Sequence, residues 1–186
     1  FNRPINGLDF SNVKDGRLKS TFHQCYLLNQ DFSTVTWPAN PIFERTFERC
    51  RSLNHPNLYA SWPYPADTDT IYFAWTYNPV NADISGWAGA QLPKTTVGLF
   101  AYWTNFNQRV SHLDASYVEN FYGTFEGAAK FNADDIGNLD VSNVTNMGYT
   151  FARAASFRRS LNNWDVSNVK YFGGTFLNTN YVEGIS

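Results

Sequence analysis

The hydrophobic positions of this chain recur at intervals of 25 to 27 residues. A recurring pattern follows the marker Phe in most repeats: a small or thiol residue three positions later, an apolar residue with Asn, two spaced apolar positions and, in the regular repeats, an Asp-x-Ser segment. The pattern is clearest over residues 124–144 and 150–169. The marker column consists of Phe22, Phe47, Phe73, Phe100, Phe125, Phe151 and Phe176. Each repeat holds too few apolar residues to bury them alone. The pattern therefore predicts a repeat solenoid, in which about seven stacked coils shield one another's apolar columns.

Polar turn-forming residues interrupt each repeat every few positions, so the strands are predicted to be short. We expect one parallel strand at the Phe-Asn-x-x-Ile segment and a second, weaker one at Ser-Asn-Val-x-x-Met. The Thr-Phe-x-x-Ala segment predicts a single helical or 3-10 turn with Thr at its N-cap. These threonines are Thr21, Thr46, Thr124, Thr150 and Thr175.

The repeat spans the whole chain, so residues 1–186 are predicted to form a single domain. The coils between about residues 30 and 95 are irregular. Residues 1–13 enter the repeat halfway through and residues 181–186 leave it halfway through, without polar capping repeats. We therefore expect a segment of a longer array.

An Asn follows a core apolar position in most repeats. It occurs at Asn29, Asn54, Asn81, Asn107 and Asn132, and Arg158 takes the position in the next repeat. If these amides point inward, they can bond the backbone of adjacent coils as a ladder. The alternative is a surface turn Asn that tolerates unusual dihedral angles. The ladder is favoured, because a surface Asn would be replaced by Ser, Asp or Gly between repeats.

Two other polar columns have a simple structural interpretation. The Asp of the Asp-x-Ser segment could hold cations between coils, but a local turn is favoured because calcium needs six or more converging oxygens. This Asp occurs at Asp9, Asp114, Asp140 and Asp165. Cys25 and Cys50 lie one coil apart, within disulfide range, but their parallel Cβ vectors favour free thiols.

Aromatic residues make up 18% of the chain, and the irregular middle is rich in Trp and Pro. Irregular coils of solenoids often form the binding face, and exposed aromatic rings suit contact with sugars or a partner protein. The candidate contact residues are Trp62, Tyr64, Trp75 and Tyr77. The alternative is that these rings fill the core, and this is the prediction for Trp87 and Trp103, which lie on repeat columns.

Charge and motifs exclude several functional classes. With 14 basic and 16 acidic residues, the chain lacks the basic character of a nucleic-acid binder. The sequence contains no run of 18 apolar residues, so no membrane span is predicted. His23, His55 and His112 are scattered, and phosphate-loop, HExxH and CxxC motifs are absent. We therefore predict no catalytic residue, no cofactor and no metal site.

The segments Trp-Asp-Val-Ser-Asn-Val (164–169) and Asp-Val-Ser-Asn-Val-Thr-Asn-Met (140–147) closely resemble the 25–26-residue repeat of BspA-like surface proteins, the DUF285 family. The resemblance is specific in the last two full repeats, recognisable at 1–13 and 100–118, and weak from 30 to 72. It implies an atypical leucine-rich-repeat solenoid on a bacterial, protist or viral surface, used for attachment. It transfers no catalytic residue.

Two functional hypotheses follow from the repeat and the resemblance. The first is a non-enzymatic extracellular or surface-exposed adhesion solenoid that recognises a protein or glycan on another surface. The alternative is a structural subunit of a larger assembly, such as a virion, filament or sheath, whose partners are neighbouring subunits.

Overall fold

The computed structural model describes residues 3–14, 17–38, 46–55, 79–81, 83–88 and 91–182. The four proposed aromatic contacts lie outside these ranges, as does the marker Phe73; they are Trp62, Tyr64, Trp75 and Tyr77. Within the described part of the chain, no helix combines the length and apolar character that a membrane crossing requires.

The marker phenylalanines stack in a single file through the C-terminal half of the chain, as predicted. The ring centroids of Phe100 and Phe125 are 5.3 Å apart, those of Phe125 and Phe151 are 5.5 Å apart, and those of Phe151 and Phe176 are 5.8 Å apart. The planes of each pair lie within 19° of parallel. Phe22 stacks on Phe47 in the same way, at 5.3 Å and 8°. Successive repeats therefore stack on one another in these two described parts of the chain.

A second aromatic column runs beside the first. Phe131 stacks on Phe106 at 5.7 Å and on Phe157 at 6.1 Å, and its ring lies 4.1 Å from that of the marker Phe125. Two further apolar columns complete the core. One contains Ile84, Val110, Ile136 and Leu161, and the other contains Trp87, Leu113, Leu139 and Trp164. Trp87 and Trp103 are each 2% exposed, which confirms that they are core residues.

The backbone around each marker Phe bonds alternately to the next coil and to its own. The N–H of Phe125 donates to the carbonyl of Thr150 at 2.8 Å, and that of Gly127 donates to Ala152 at 2.7 Å. Between them, the N–H of Glu126 donates to Gly123 of its own coil at 3.0 Å. This alternation satisfies the backbone groups without forming a helix or a strand.

The predicted turn at Thr-Phe-x-x-Ala is not helical. Positive φ angles occur two residues before and two residues after the marker Phe, at Gly123 (61°) and Gly127 (66°) and again at Tyr149 (57°) and Arg153 (60°). A left-handed residue ends a right-handed helix, so no helical run can pass through this segment. The two 3-10 helices in the described ranges, Ser85–Trp87 and Ile136–Asn138, lie instead at the spaced apolar positions.

The Thr of this segment binds carbonyl oxygens rather than capping a helix. Thr150 is fully buried, and its hydroxyl lies 2.8 Å from the carbonyl of Met147 and 3.1 Å from that of Phe121 in the preceding coil. Thr175 repeats the arrangement with Phe172 and Met147 at 2.7 and 2.9 Å. The column of hydroxyls thus joins neighbouring coils inside the core.

The predicted strands are reduced to isolated parallel bridges in the described residues. Three of the five bridges form one continuous column through Thr95, Asn120, Asn146 and Tyr171, within the predicted weaker strand. No bridge forms at the Phe-Asn-x-x-Ile segment in the described coils. The backbone N–H groups there donate to Asn side chains of the preceding coil instead of to its backbone carbonyls. Cys25 and Cys50 are both free thiols, and the buried Cys50 lies 3.0 Å from the carbonyl of Phe22.

Candidate functional site

The five Asn residues of the proposed ladder make equivalent hydrogen bonds between coils. In each case the side-chain Oδ1 accepts from the backbone N–H at the same position of the next coil. The pairs are Asn29 with Asn54 (2.8 Å), Asn54 with Asn81 (2.6 Å), Asn81 with Asn107 (2.9 Å), Asn107 with Asn132 (2.8 Å) and Asn132 with Arg158 (3.0 Å). The row ends at Arg158, whose side chain has no acceptor atom.

The ladder lies on the surface, contrary to the prediction that its amides point into the core. The first four Asn residues are exposed and Asn132 is half-buried. The residue before each Asn occupies the core, as Phe106 and Phe131 do with no exposed area. Successive side chains of an extended segment point to opposite sides, so the Asn faces outward.

The Asp-x-Ser-Asn segment is also held by side chains. The Oδ1 of Asp140 accepts from the N–H of Ser142 at 3.1 Å and from its hydroxyl at 2.7 Å, which lowers the pKa of Asp140. Asn168 donates from Nδ2 to the carbonyl of Ser142 in the preceding coil at 2.7 Å. The Asp column therefore forms the favoured local turns, and the following Asn joins coils.

This segment borders a groove of about 680 Å³ on the face that carries the parallel bridges. We call it the bridge-face groove. It crosses several coils, and its lining residues are Lys94, Ser116, Tyr117, Glu119, Asn143, Thr145 and Asn168. The Nζ of Lys94 lies 2.9 Å from the Oε1 of Glu119, so the two charges of the groove are paired.

Tyr117 is the aromatic residue of the groove, and 57% of its surface is exposed. It stands at the position that holds Asn12, Asn143 and Asn168 in other repeats. Tyr117 is not among the contact residues predicted from the sequence. The available signal was this departure from the repeat, an aromatic ring in a column of polar surface residues.

A second cavity, of about 480 Å³, lies around the 3-10 helix Ser85–Trp87. Its polar groups already bind their neighbours: Asp83 accepts from Ser85 at 2.8 Å, and the Nε2 of His112 lies 2.9 Å from the carbonyl of Ile84. In the described ranges, no group of three His, Cys, Asp or Glu residues is placed to hold a metal ion. Of the two cavities, the bridge-face groove is the better candidate site, because it is lined by an exposed aromatic ring, that of Tyr117.

Two buried carboxylates join coils away from the groove. The Oε1 of Glu126 accepts from the hydroxyl of Tyr102 and from Nη1 of Arg153, both at 2.7 Å, and thereby connects three coils. Asp135, 3% exposed, accepts from the N–H groups of Val110 and Ser111 at 3.1 and 2.9 Å. Both carboxylates are occupied by structural hydrogen bonds.

Comparison with known proteins identifies one family. The family model described as "Mycoplasma protein of unknown function, DUF285" matches residues 1–87 and 68–184, which together cover almost the whole chain. No curated protein and no solved structure matches the chain. The family match confirms the resemblance that the Asp-Val-Ser-Asn-Val segments indicated. The chain belongs to the DUF285 family.

Proposed function

We propose that this chain is a non-enzymatic recognition module of an extracellular or surface-exposed protein. In this proposal it is a leucine-rich-repeat-like solenoid, and the bridge-face groove contacts a protein or glycan on another surface. The observation that carries the proposal is the exposed ring of Tyr117 in a polar groove that crosses several coils. Exposed aromatic residues beside polar groups are typical of recognition surfaces.

The alignment of the coils supports this choice of face. The column of parallel bridges holds the backbone beneath the groove at fixed spacing, and the buried Val118 and Val144 anchor it to the core. A binding surface with a rigid backbone loses less conformational freedom when its ligand binds. The groove residues that vary between coils can then change specificity without changing the stack.

Attachment of protein-coated beads to a panel of intact bacterial and animal cells tests the proposal. We expect saturable attachment that Tyr117→Ala lowers about tenfold, because this substitution removes a central aromatic contact. Tyr171→Ala is the matched control, since Tyr171 is also exposed (65%) but does not line the groove. Equal attachment by the parent and Tyr117→Ala would contradict the use of this groove.

The second candidate, a subunit of a larger assembly, has one specific observation in its favour. Tyr26 and Leu27 are adjacent in the sequence, and they are 44% and 65% exposed. An exposed apolar surface of this kind favours association with another protein surface. The mass of the native protein in solution tests it: a monomer at all concentrations would argue against assembly.

A further inference from the structure

The hydrogen-bonding capacity of the bridge-face groove is dominated by acceptors. The Nδ2 of Asn143 donates to the carbonyl of Ser116 at 2.8 Å, as that of Asn168 does to Ser142. The hydroxyl of Thr145 lies 3.1 Å from the carbonyl of Glu119, to which it donates. The hydroxyl proton of Thr145 and one N–H of each amide are thus used within the stack, and each amide keeps a second N–H. The two Oδ1 atoms and the lone pairs of the hydroxyl remain available to a ligand.

The hydroxyl of Ser116 is oriented in the same way. It donates to the Oδ1 of Asp114 at 2.6 Å, so its lone pairs face a ligand as acceptors. A ligand that fits this groove therefore pairs best when it brings several hydrogen-bond donors of its own. Hydroxyl groups and ammonium groups both supply donors, and hydroxyl groups can also accept from the second N–H of each amide.

Charge decides between these two donor classes. Lys94 and Glu119 form an ion pair at 2.9 Å, and the other lining residues are uncharged, so the groove has no net charge. A site for an ammonium-bearing ligand would need unpaired carboxylates, because desolvation of the cation must be compensated. A neutral, hydroxyl-bearing ligand meets no such cost.

The exposed ring of Tyr117 adds an apolar surface beside these acceptors. A pyranose ring presents hydroxyl donors at its edge and a face of C–H groups that packs on an aromatic ring. We infer that the bridge-face groove binds a neutral carbohydrate chain, with Tyr117 against a sugar ring and Asn143, Thr145 and Asn168 accepting from its hydroxyl groups. This inference rests on the proposed function and specifies its ligand.

Isothermal titration of the whole chain tests the ligand class with named probes. The neutral probes are the hexasaccharides of β-1,4-linked glucose, β-1,4-linked N-acetylglucosamine and α-linked mannose. Hexalysine and a heparin hexasaccharide serve as cationic and anionic counter-probes. We expect at least one neutral probe to bind with a Kd below about 1 mM, and the charged probes to bind at least about tenfold more weakly.

Three variants separate the contributions of the groove residues. Tyr117→Ala is expected to weaken binding of the neutral probe at least about tenfold, whereas Tyr117→Phe keeps the ring and retains binding. Glu119→Gln keeps an acceptor oxygen and removes a negative charge. A strong loss of hexalysine binding in this variant would show that a cation uses this carboxylate, against the assignment of a neutral ligand. Tyr171→Ala is again the control outside the groove.

Several outcomes would overturn the inference: no binding of any neutral probe, stronger binding of hexalysine, or unchanged sugar binding by Tyr117→Ala. The bead assay distinguishes this failure from failure of the proposed function. If Tyr117→Ala lowers attachment to cells while no neutral probe binds, the groove is a recognition site for another ligand and only the carbohydrate assignment falls. If the neutral probe binds at the groove but attachment does not change, only the attachment role falls.

Discussion

At the scale of single residues, an Asn side chain can replace a strand as the connection between coils. The Oδ1 of Asn132 accepts from the N–H of Arg158 at 3.0 Å, and the same bond occurs in the preceding coils. Each bond fixes the spacing of two coils on the surface. The repetition of Asn in this column follows from geometry, because the side chain must present an acceptor at that one distance from the backbone.

Asn132→Ala should lower the free energy of unfolding by about 0.5–1.5 kcal/mol, the net value of one hydrogen bond in a partly solvated site. Burial of the amide would have predicted a larger loss. Urea denaturation of the parent and variant measures the difference. Asn163→Ala is the control, since Asn163 is exposed and its side chain makes no hydrogen bond among the described residues. Equal losses in both variants would show that the ladder bond contributes nothing.

Asp135 makes the free energy of unfolding depend on pH in the acid range. Burial acts to raise the pKa of Asp135, but hydrogen bonds from Ser111, Val110 and Arg109 outweigh it and hold the pKa below its usual value. A lowered pKa contributes stability above the unfolded-state value of about 3.9. That stability is lost as the pH falls through the lower pKa of the folded state.

We therefore expect Asp135→Asn to flatten the dependence of unfolding free energy on pH below about 4. The measurement is a series of urea titrations at pH values between 2 and 6, with Asp134→Asn as the control. Asp134 is the exposed neighbour of Asp135. A parent and an Asp135→Asn variant with the same acid dependence would exclude this carboxylate as the source.

At the scale of the element, the turn around each marker Phe depends on left-handed residues and on a close approach between coils. A Cβ at Gly127 would lie 2.5 Å from the Cδ1 of Tyr102, and the φ of Gly127 is +66°. Gly123 has a similar φ of +61°, but a Cβ there would lie 3.4 Å from the nearest atom, Oε2 of Glu126. The two glycines separate backbone strain from steric overlap.

Gly123→Ala should cost about 1–2 kcal/mol, the price of a left-handed residue with a side chain. Gly127→Ala should cost more, since the ring of Tyr102 must also move. Thermal unfolding of both variants gives the comparison. If Gly127→Ala is no more destabilising than Gly123→Ala, the ring of Tyr102 moves aside without loss of stability, and the close approach does not constrain the residue at position 127.

The apolar columns of each element could be predicted from the sequence, whereas its hydrogen bonding could not. Phe131, Ile136 and Leu139 are buried as their spacing required. The predicted strand through Phe131 does not form because Asn107 supplies an acceptor to the N–H of Asn132 from a side chain. Periodicity reports which side chains are apolar, but it does not report whether a backbone group bonds to another backbone or to an amide.

The candidate groove was missed for a related reason. The aromatic contacts predicted from the sequence belong to the irregular middle, at residues that lie outside the described ranges. Tyr117 belongs to a regular coil, and the groove that it lines is formed together with residues of neighbouring coils, such as Asn143. A groove formed by residues of adjacent coils can be recognised only once the stacking of the coils is known.

At the scale of the whole molecule, each coil bonds chiefly to the coils on either side. The ring of Phe131 packs on Phe106 and Phe157 of the adjacent coils as well as on Phe125 of its own. Stacks of this kind have stabilities that sum over neighbouring interfaces. Disruption of one coil should therefore weaken the two beside it more than distant coils.

Phe131→Ala should cost about 3–5 kcal/mol, as for a fully buried aromatic residue. Amide hydrogen exchange should show the largest loss of protection in residues 98–106 and 147–157, and a smaller loss in residues 18–32. Phe172→Ala, at a 40% exposed position, is the control and should change protection little. A uniform loss along the chain would indicate global rather than neighbour-limited cooperativity.

The hydrogen bonds between coils differ in sense from one face to another. Near the marker Phe, donors point toward the following coil, as from Phe125 to Thr150, whereas the bridge face carries both senses, with Met147 donating forward to Tyr171 and Lys170 donating back to Thr145. The peptide dipoles therefore offset one another in part on the bridge face, but they add near the marker Phe, as they do in an α-helix. A stack built in this way accumulates its axial polarisation along the marker column, and each further turn would add to it there.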